Sequence, residues 1–209
     1  MKEQEKKVIL EYLEKLFPNA MCELNFGNEY ELVVSVILSA QCTDKRVNAT
    51  TPALFEKYPT FFDLARASQS DVEEIIKPCG FFHNKAKNII ACSKVVVEKF
   101  GDKLPNSVED MMTLPGVGMK TAKVVCANLF GSNVVAVDTH VKRVSNRLGI
   151  VDESNPDKIS TMLESEFESN LSSVHHRFVL FGRYFCKSQR PNCNECELKS
   201  ICKYYKMQN

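Results

Sequence analysis

At 209 residues, 44% of them hydrophobic, the chain can bury a sizeable core as one large or two small domains. Its 27 basic and 26 acidic side chains nearly cancel, which excludes a protein that coats polyanions by overall charge. A nucleic-acid partner would need a local basic face. No apolar run approaches membrane-spanning length, and residues 1–7 are charged rather than signal-like, so a cytoplasmic, reducing setting without a membrane partner is expected.

Hydrophobic periodicity predicts helices almost throughout. Residues 3–17 are amphipathic, with Val8, Ile9, Tyr12, Leu13 and Leu16 at helical spacing, and Pro18 and Asn19 end the run. Residues 29–39 are strongly apolar. The β-branched Val33, Val34, Val36 and Ile37 would also suit a strand, but no partner strand is evident, and a buried helix is expected. Helices follow over 43–55, 60–67, 70–76, 84–100, 107–113, 119–130, 139–148, 156–167 and 172–186. Breaks fall at Pro59, at Pro78 to Gly80, over 101–105 and at Asn155 and Pro156. The fold class is all-α, with no internal repeat or low-complexity linker. Acidic residues gather over 71–74 and 152–168, while the C-terminal end is basic.

Residues 114–120 read Leu-Pro-Gly-Val-Gly-Met-Lys. Pro115 fixes its own φ, and Gly116 and Gly118 are free to adopt positive φ. The turn is therefore tight, and a helix starts behind it, so backbone N–H groups can meet an anion there. The same pattern also suits an ordinary pair of packed helices. The spacing is that of neither a Walker nor a Rossmann loop. Lys120 opens the second helix, where the positive helix end, and any burial, would favour the neutral amine, a competent nucleophile. A solvated phosphate-contacting lysine is the plainer reading. Asp138 ends the apolar run Val134, Val135, Ala136 and Val137 and precedes a helix, so it is a natural N-cap. Held near the lysine, its carboxylate could instead assist deprotonation and stabilise a cationic sugar.

Four of the nine cysteines, Cys186, Cys193, Cys196 and Cys202, lie in a 17-residue window. In a reducing compartment clustered thiols bind metal more often than they pair. The spacing has a single Cys-x2-Cys and suits Zn²⁺ or an iron–sulfur cluster equally. Ordering a small segment that carries Lys187, Arg190, Lys199, Lys203 and Lys206 would place basic side chains for phosphate contact.

Leu114 to Ala122 followed by Val137 to Val144 resembles the helix-hairpin-helix DNA glycosylase superfamily, and within it the endonuclease III family. The likeness extends over nearly the whole chain, through Leu38 to Asp44, Gly80 to Ala86, His175 and His176, and Gly182 to Tyr184. It implies a bifunctional enzyme that excises oxidised pyrimidines from double-stranded DNA and cuts at the resulting abasic site, with Lys120 and Asp138 as the catalytic pair. It also implies a [4Fe–4S] cluster on Cys186, Cys193, Cys196 and Cys202, which decides between the two metals. Residues 22–131 would be a six-helix domain, and 1–21 with 132–209 a cluster domain, with a DNA-binding cleft between them. Gln41 and Phe81 match positions that enter the base stack, although Phe81 stands where the family has an aliphatic residue. Each also has a plain structural reading, Gln41 as a helix-end amide and Phe81 as a core aromatic. Leu114, Gly116, Val117, Gly118 and His140 are the remaining expected DNA contacts, and a monomer is expected. In the adenine-mismatch branch a glutamate stands where this chain has Ser35. In the thymine-mismatch branch a tyrosine commonly replaces the lysine.

Overall fold

In the computed structural model, which describes residues 1–208, the described residues are helical with no strand. The α-helices are α1 (Glu3–Leu16), α2 (Glu29–Leu38), α3 (Asp44–Lys57), α4 (Phe61–Ala65), α5 (Gln69–Ile76) and α6 (Phe82–Phe100). There follow α7 (Val108–Met111), α8 (Met119–Phe130), α9 (Thr139–Leu148), α10 (Pro156–Phe167), α11 (Leu171–Leu180) and α12 (Lys203–Gln208). Among the described residues no helix is long and apolar enough to cross a membrane. The chain divides into two compact units, one of Glu23–Phe130 and one that joins Met1–Cys22 to the residues from Gly131 onward.

The unit of Glu23–Phe130 is built around α2, whose residues from Leu32 to Leu38 are all buried. The β-branched run is thus helical. Asn28 starts it by accepting from Glu31 N at 2.9 Å, and α3, α6 and α8 pack on it. A run covered on several sides has no need of the two-residue alternation of a half-buried strand. The unit contains seven α-helices among the described residues, of which α4 and α7 are short pieces of five and four residues. The α6 helix begins earlier than its periodicity suggests. Phe81 caps it in the left-handed region, at φ 48°.

The other unit has one apolar core, formed by Ile9, Tyr12 and Leu13 of α1, Val141, Val144 and Leu148 of α9, and side chains of α10 and α11 such as Leu163 and Phe178. The run 134–137 has no strand to pair with and is held by side chains instead. Glu164 Oε1 accepts from Val135 N at 2.9 Å, and Ser160 Oγ donates to Val135 O at 2.6 Å. This satisfies the backbone of a buried extended segment and fixes where Asp138 emerges. After α11 the chain takes a π-helical turn, Phe181–Phe185, closed by Cys186 N donating to Phe181 O at 2.6 Å. The single helix expected over 172–186 therefore ends at Leu180. The rings of Phe181 and Phe185 stack at 5.2 Å, and Tyr12 meets both edge-on.

Ser160 is 3% exposed, so Ser160→Ala leaves the buried Val135 carbonyl without its donor. The expected cost is about 1–3 kcal/mol, read as a lower urea midpoint with an unchanged slope.

Candidate nucleic-acid interface and metal centre

The turn between α7 and α8 is built by short-range bonds. Ser107 caps α7 by accepting from Asp110 N at 3.0 Å, Leu114 N donates to Met111 O at 3.1 Å, and Val117 N donates to Leu114 O at 3.1 Å. Leu114 and Val117 are buried, at 2% and 6% exposure, so they anchor the turn in the core of the unit. The left-handed freedom expected of both glycines is used at Gly116 alone, at φ 80°. A Cβ there would lie 2.8 Å from Asn88 Cβ, so the turn packs directly on α6. At Gly118 an added Cβ would meet nothing within 4 Å. Gly118 O then accepts from Ala122 N at 2.9 Å and starts α8. Lys120 is exposed in the first turn of that helix.

Gln41 and Phe81 share an unusual backbone. Both are non-glycine residues in the left-handed region, at φ 52° and 48°, a conformation that costs an L-residue roughly 1–2 kcal/mol. Phe81 is 66% exposed, which removes the core-aromatic reading. Its neighbour Phe82 is half-buried and lies against the His83 ring at 4.1 Å. Ser35 sits fully buried inside α2, with no hydrogen-bond partner for Oγ among the described residues.

Asp138 is half-buried at the head of α9. Its Oδ1 accepts from both His140 N and Val141 N at 2.8 Å, so the capping role is realised and the charge faces the positive helix end. His140 Nδ1 lies 3.1 Å from Arg143 Nη2. A Cβ on Gly182 would come within 2.8 Å of His140 Cβ, so the π-turn lies hard against the start of α9.

The same helix carries the cysteine segment. Arg143 donates through Nε to Cys186 O at 3.1 Å and through Nη2 to Gly182 O at 2.6 Å. Arg147 donates to Lys187 O at 2.6 Å and Ser188 O at 3.0 Å, and its Nη1 lies 3.5 Å from Cys186 Sγ. Its guanidinium also stacks 4.2 Å from the Tyr204 ring centroid. Cys202 Sγ lies 3.2 Å from Arg147 O. These two arginines were not assigned a role from the sequence; their i, i+4 spacing on a helix next to the cysteines is the one available signal.

Cys186, Cys193, Cys196 and Cys202 line one pocket together with Phe181, Phe185 and Leu148. The thiols sense one another. Cys193 is raised by burial and then by Cys186 and Cys202, while Cys196 is raised by burial and then, against a Leu198 backbone bond, by Cys202, Cys186 and Cys193. Four such thiolates need a bound cation to coexist. Among the described residues no three His, Cys, Asp or Glu side chains close on a single-ion position. Four cysteine sulfurs lining one apolar pocket are a donor set that suits a metal ion or an iron–sulfur cluster.

Residues 34–169 match the family described as HhH-GPD superfamily base excision DNA repair proteins. The chain belongs to that superfamily. It is 44% identical to endonuclease III of Bacillus subtilis (strain 168) over 196 residues, 93% of this chain and 90% of the relative. Among solved structures, it is similar to a non-covalent endonuclease III–DNA complex, with TM-score 0.94 and 40% identity over 100% of this chain and 98% of that one. A trapped endonuclease III–DNA covalent intermediate, the estranged-adenine complex, gives TM-score 0.94 and 40% identity, covering 100% of this chain and 99% of that one.

The two glycines of the turn separate packing from access. Gly116→Ala is expected to lose about 1–2 kcal/mol to backbone strain and more to the overlap with Asn88. Gly118→Ala should stay within about 0.5 kcal/mol of the parent. Thermal unfolding of the two variants side by side checks this.

Proposed function

We propose that this protein is a bifunctional DNA glycosylase and abasic-site lyase of base excision repair. It removes oxidised pyrimidines from double-stranded DNA and cleaves 3′ to the abasic site by β-elimination. The observation that carries the reading is Lys120: an exposed amine in the first turn of α8, directly behind a tight glycine turn, in a chain that is 40% identical to a trapped covalent endonuclease III–DNA intermediate.

The turn from Leu114 to Gly118 offers its backbone to a phosphate at the positive end of α8. The open space beside Gly118 leaves room for close approach. Gln41 and Phe81, exposed on strained loops, enter the base stack and compensate for the extruded nucleotide. Lys120 Nζ attacks C1′ of the flipped nucleotide, and the C1′–N bond breaks as the base leaves with its electron pair. Asp138 stabilises the positive charge that develops on the sugar. Because Oδ1 is held by two N–H groups, Oδ2 is left for this role. Opening of the sugar ring gives a Schiff base on Lys120. Loss of a C2′ proton then expels the 3′ phosphate, and water releases the enzyme. His140, locked against Arg143, contacts DNA from the head of α9. Ser35 lies where an adenine-mismatch enzyme would need its acid, and it has no carboxyl group.

Cys186, Cys193, Cys196 and Cys202 would hold a [4Fe–4S] cluster. The cluster supplies covalent ordering to a segment too small to build its own core, along with the cationic charge that the four thiolates require. Lys187, Arg190 and Lys199 on that segment are exposed and contribute to phosphate binding. The protein acts as a monomer on cytoplasmic, nucleoid DNA.

Borohydride is expected to trap a covalent adduct between the wild-type protein and a duplex containing a thymine glycol or an abasic site. Lys120→Gln should give neither adduct nor nick; a normal adduct from that variant would remove Lys120 from the mechanism. The protein purified without oxygen should carry about four irons with matching acid-labile sulfide, and Cys196→Ala should lose both. One zinc and no labile sulfide would overturn the cluster assignment.

A further inference from the structure

Among the described residues, Lys85 is the one lysine, arginine, aspartate or glutamate that is buried, at 5% exposure. Taking an ammonium out of water is costly unless the group is well bonded, so what its Nζ holds matters. Nζ donates to Cys79 O at 2.9 Å. Cys79 ends the 3-10 turn Lys77–Cys79 and is itself 2% exposed. The bond that closes this turn, Gly80 N to Lys77 O at 3.3 Å, leaves Cys79 O aside, and the lysine satisfies that buried carbonyl. Burial pulls the ammonium down from the ordinary lysine value, opposed by the Cys42 and Cys79 thiols. Charged or neutral, the nitrogen keeps an N–H to donate.

The carbonyl it holds stands directly before two strained residues. Gly80 lies at φ 68°, ψ 159°, a region that is essentially restricted to glycine. Phe81 follows at φ 48°, ψ 29°, left-handed with a full side chain. An added Cβ at Gly80 would meet nothing within 4 Å, and Phe81 is 66% exposed, so core packing does not hold this pair through side chains. Lys85 holds it through hydrogen bonds on both sides. Its backbone N donates to Phe81 O at 3.1 Å, while its Nζ takes Cys79 O.

We propose that Lys85 is a positioning residue for base extrusion: by bonding Cys79 O and Phe81 O it keeps Gly80 and Phe81 in their strained backbone and so aims the exposed Phe81 ring at the duplex. This rests on the stack-entering role proposed for Phe81. The amide bond survives any substitution that keeps α6, so the Nζ bond is the part a variant removes. Without it, Cys79 O is buried with no donor, and the Gly80–Phe81 segment relaxes toward right-handed backbone, carrying the ring with it. The loss falls on extrusion. It is largest for a lesion held by a partner base and least where no partner holds it. Attack by Lys120 on a nucleotide already extruded does not depend on Lys85.

The test uses the full-length, iron-loaded protein and its Lys85→Met variant, which has a similar length and no donor. Single-turnover excision is measured at saturating enzyme on thymine glycol opposite adenine, and on the same lesion opposite an abasic analogue. Lys85→Met should lose roughly tenfold to a hundredfold on the paired lesion and stay close to the parent rate on the unpaired one. A residue that acts through Phe81 has nothing further to lose once the ring is gone, so Lys85→Met added to Phe81→Ala should not slow paired excision beyond Phe81→Ala alone. Equal losses on both substrates, a parent rate on the paired lesion, or a full further loss in the double variant overturns the proposal. If Lys85→Met melts below the assay temperature, Gly80→Ala disturbs the same bend from its open side. It should show the same selective loss, and parent rates there contradict the positioning role. Phe81→Ala alone separates the two readings. A parent rate for it sinks the stack-entry role of Phe81, whereas a slow Phe81→Ala beside a fast Lys85→Met sinks only the role of Lys85.

Discussion

Two hydrogen bonds of 2.8 Å, from His140 N and Val141 N to a single oxygen of Asp138, set the start of α9, and much of its unit follows from that start. The carboxylate satisfies amides that would otherwise be unpaired at the helix end and lies against the positive pole of the helix. With α9 begun at Thr139, Arg143 and Arg147 fall on the side where the π-turn and the cysteine segment run. Their guanidinium groups take up the carbonyls of Gly182, Cys186, Lys187 and Ser188. A loop of this kind has few backbone partners of its own, so the two arginines supply them. One helix thereby holds a proposed catalytic carboxylate at its head and a proposed cluster segment along its flank.

The other unit places its functional groups by a different device. Three of its proposed site residues stand on backbone that ordinary packing would avoid. Gly116 is left-handed and pressed against Asn88, while Gln41 and Phe81 occupy the same region with full side chains. Strain of this kind persists only where surrounding structure enforces it. Here the enforcing groups include Lys85, whose Nζ holds Cys79 O just before Phe81. The proposed phosphate turn, nucleophile and stack-entering side chains are thus short segments projecting from a rigid helical body centred on α2.

Much of this was legible in the sequence, for local reasons. The bounds of α8, α9 and α10 coincide with the expected 119–130, 139–148 and 156–167, because Gly131, Gly149, Asn155 and Pro156 punctuate them. The helical state of 29–39 followed from the lack of a partner strand. Other features depended on contacts that sequence does not display. The π-turn after Leu180 reflects the Cys186–Phe181 bond and the arginines on α9. Phe81 looked like half of a core pair until its left-handed backbone turned it to solvent. Positive φ was open to both glycines, yet only Gly116 uses it, and Asn88 fills the space a side chain there would need. The six-residue α12 has too few residues to show periodicity.

Asp138 has a structural role in plain view and a catalytic role by proposal, and one substitution separates them. Asparagine caps helices about as well as aspartate, so Asp138→Asn should retain the fold, the iron content and the melting temperature. It removes only the charge. The direct measurement is the single-turnover excision rate of that variant on a duplex with one oxidised pyrimidine. The account predicts a fall on the order of a hundredfold or more. A variant that stays folded and excises at the parent rate would leave Asp138 as a helix cap and nothing else.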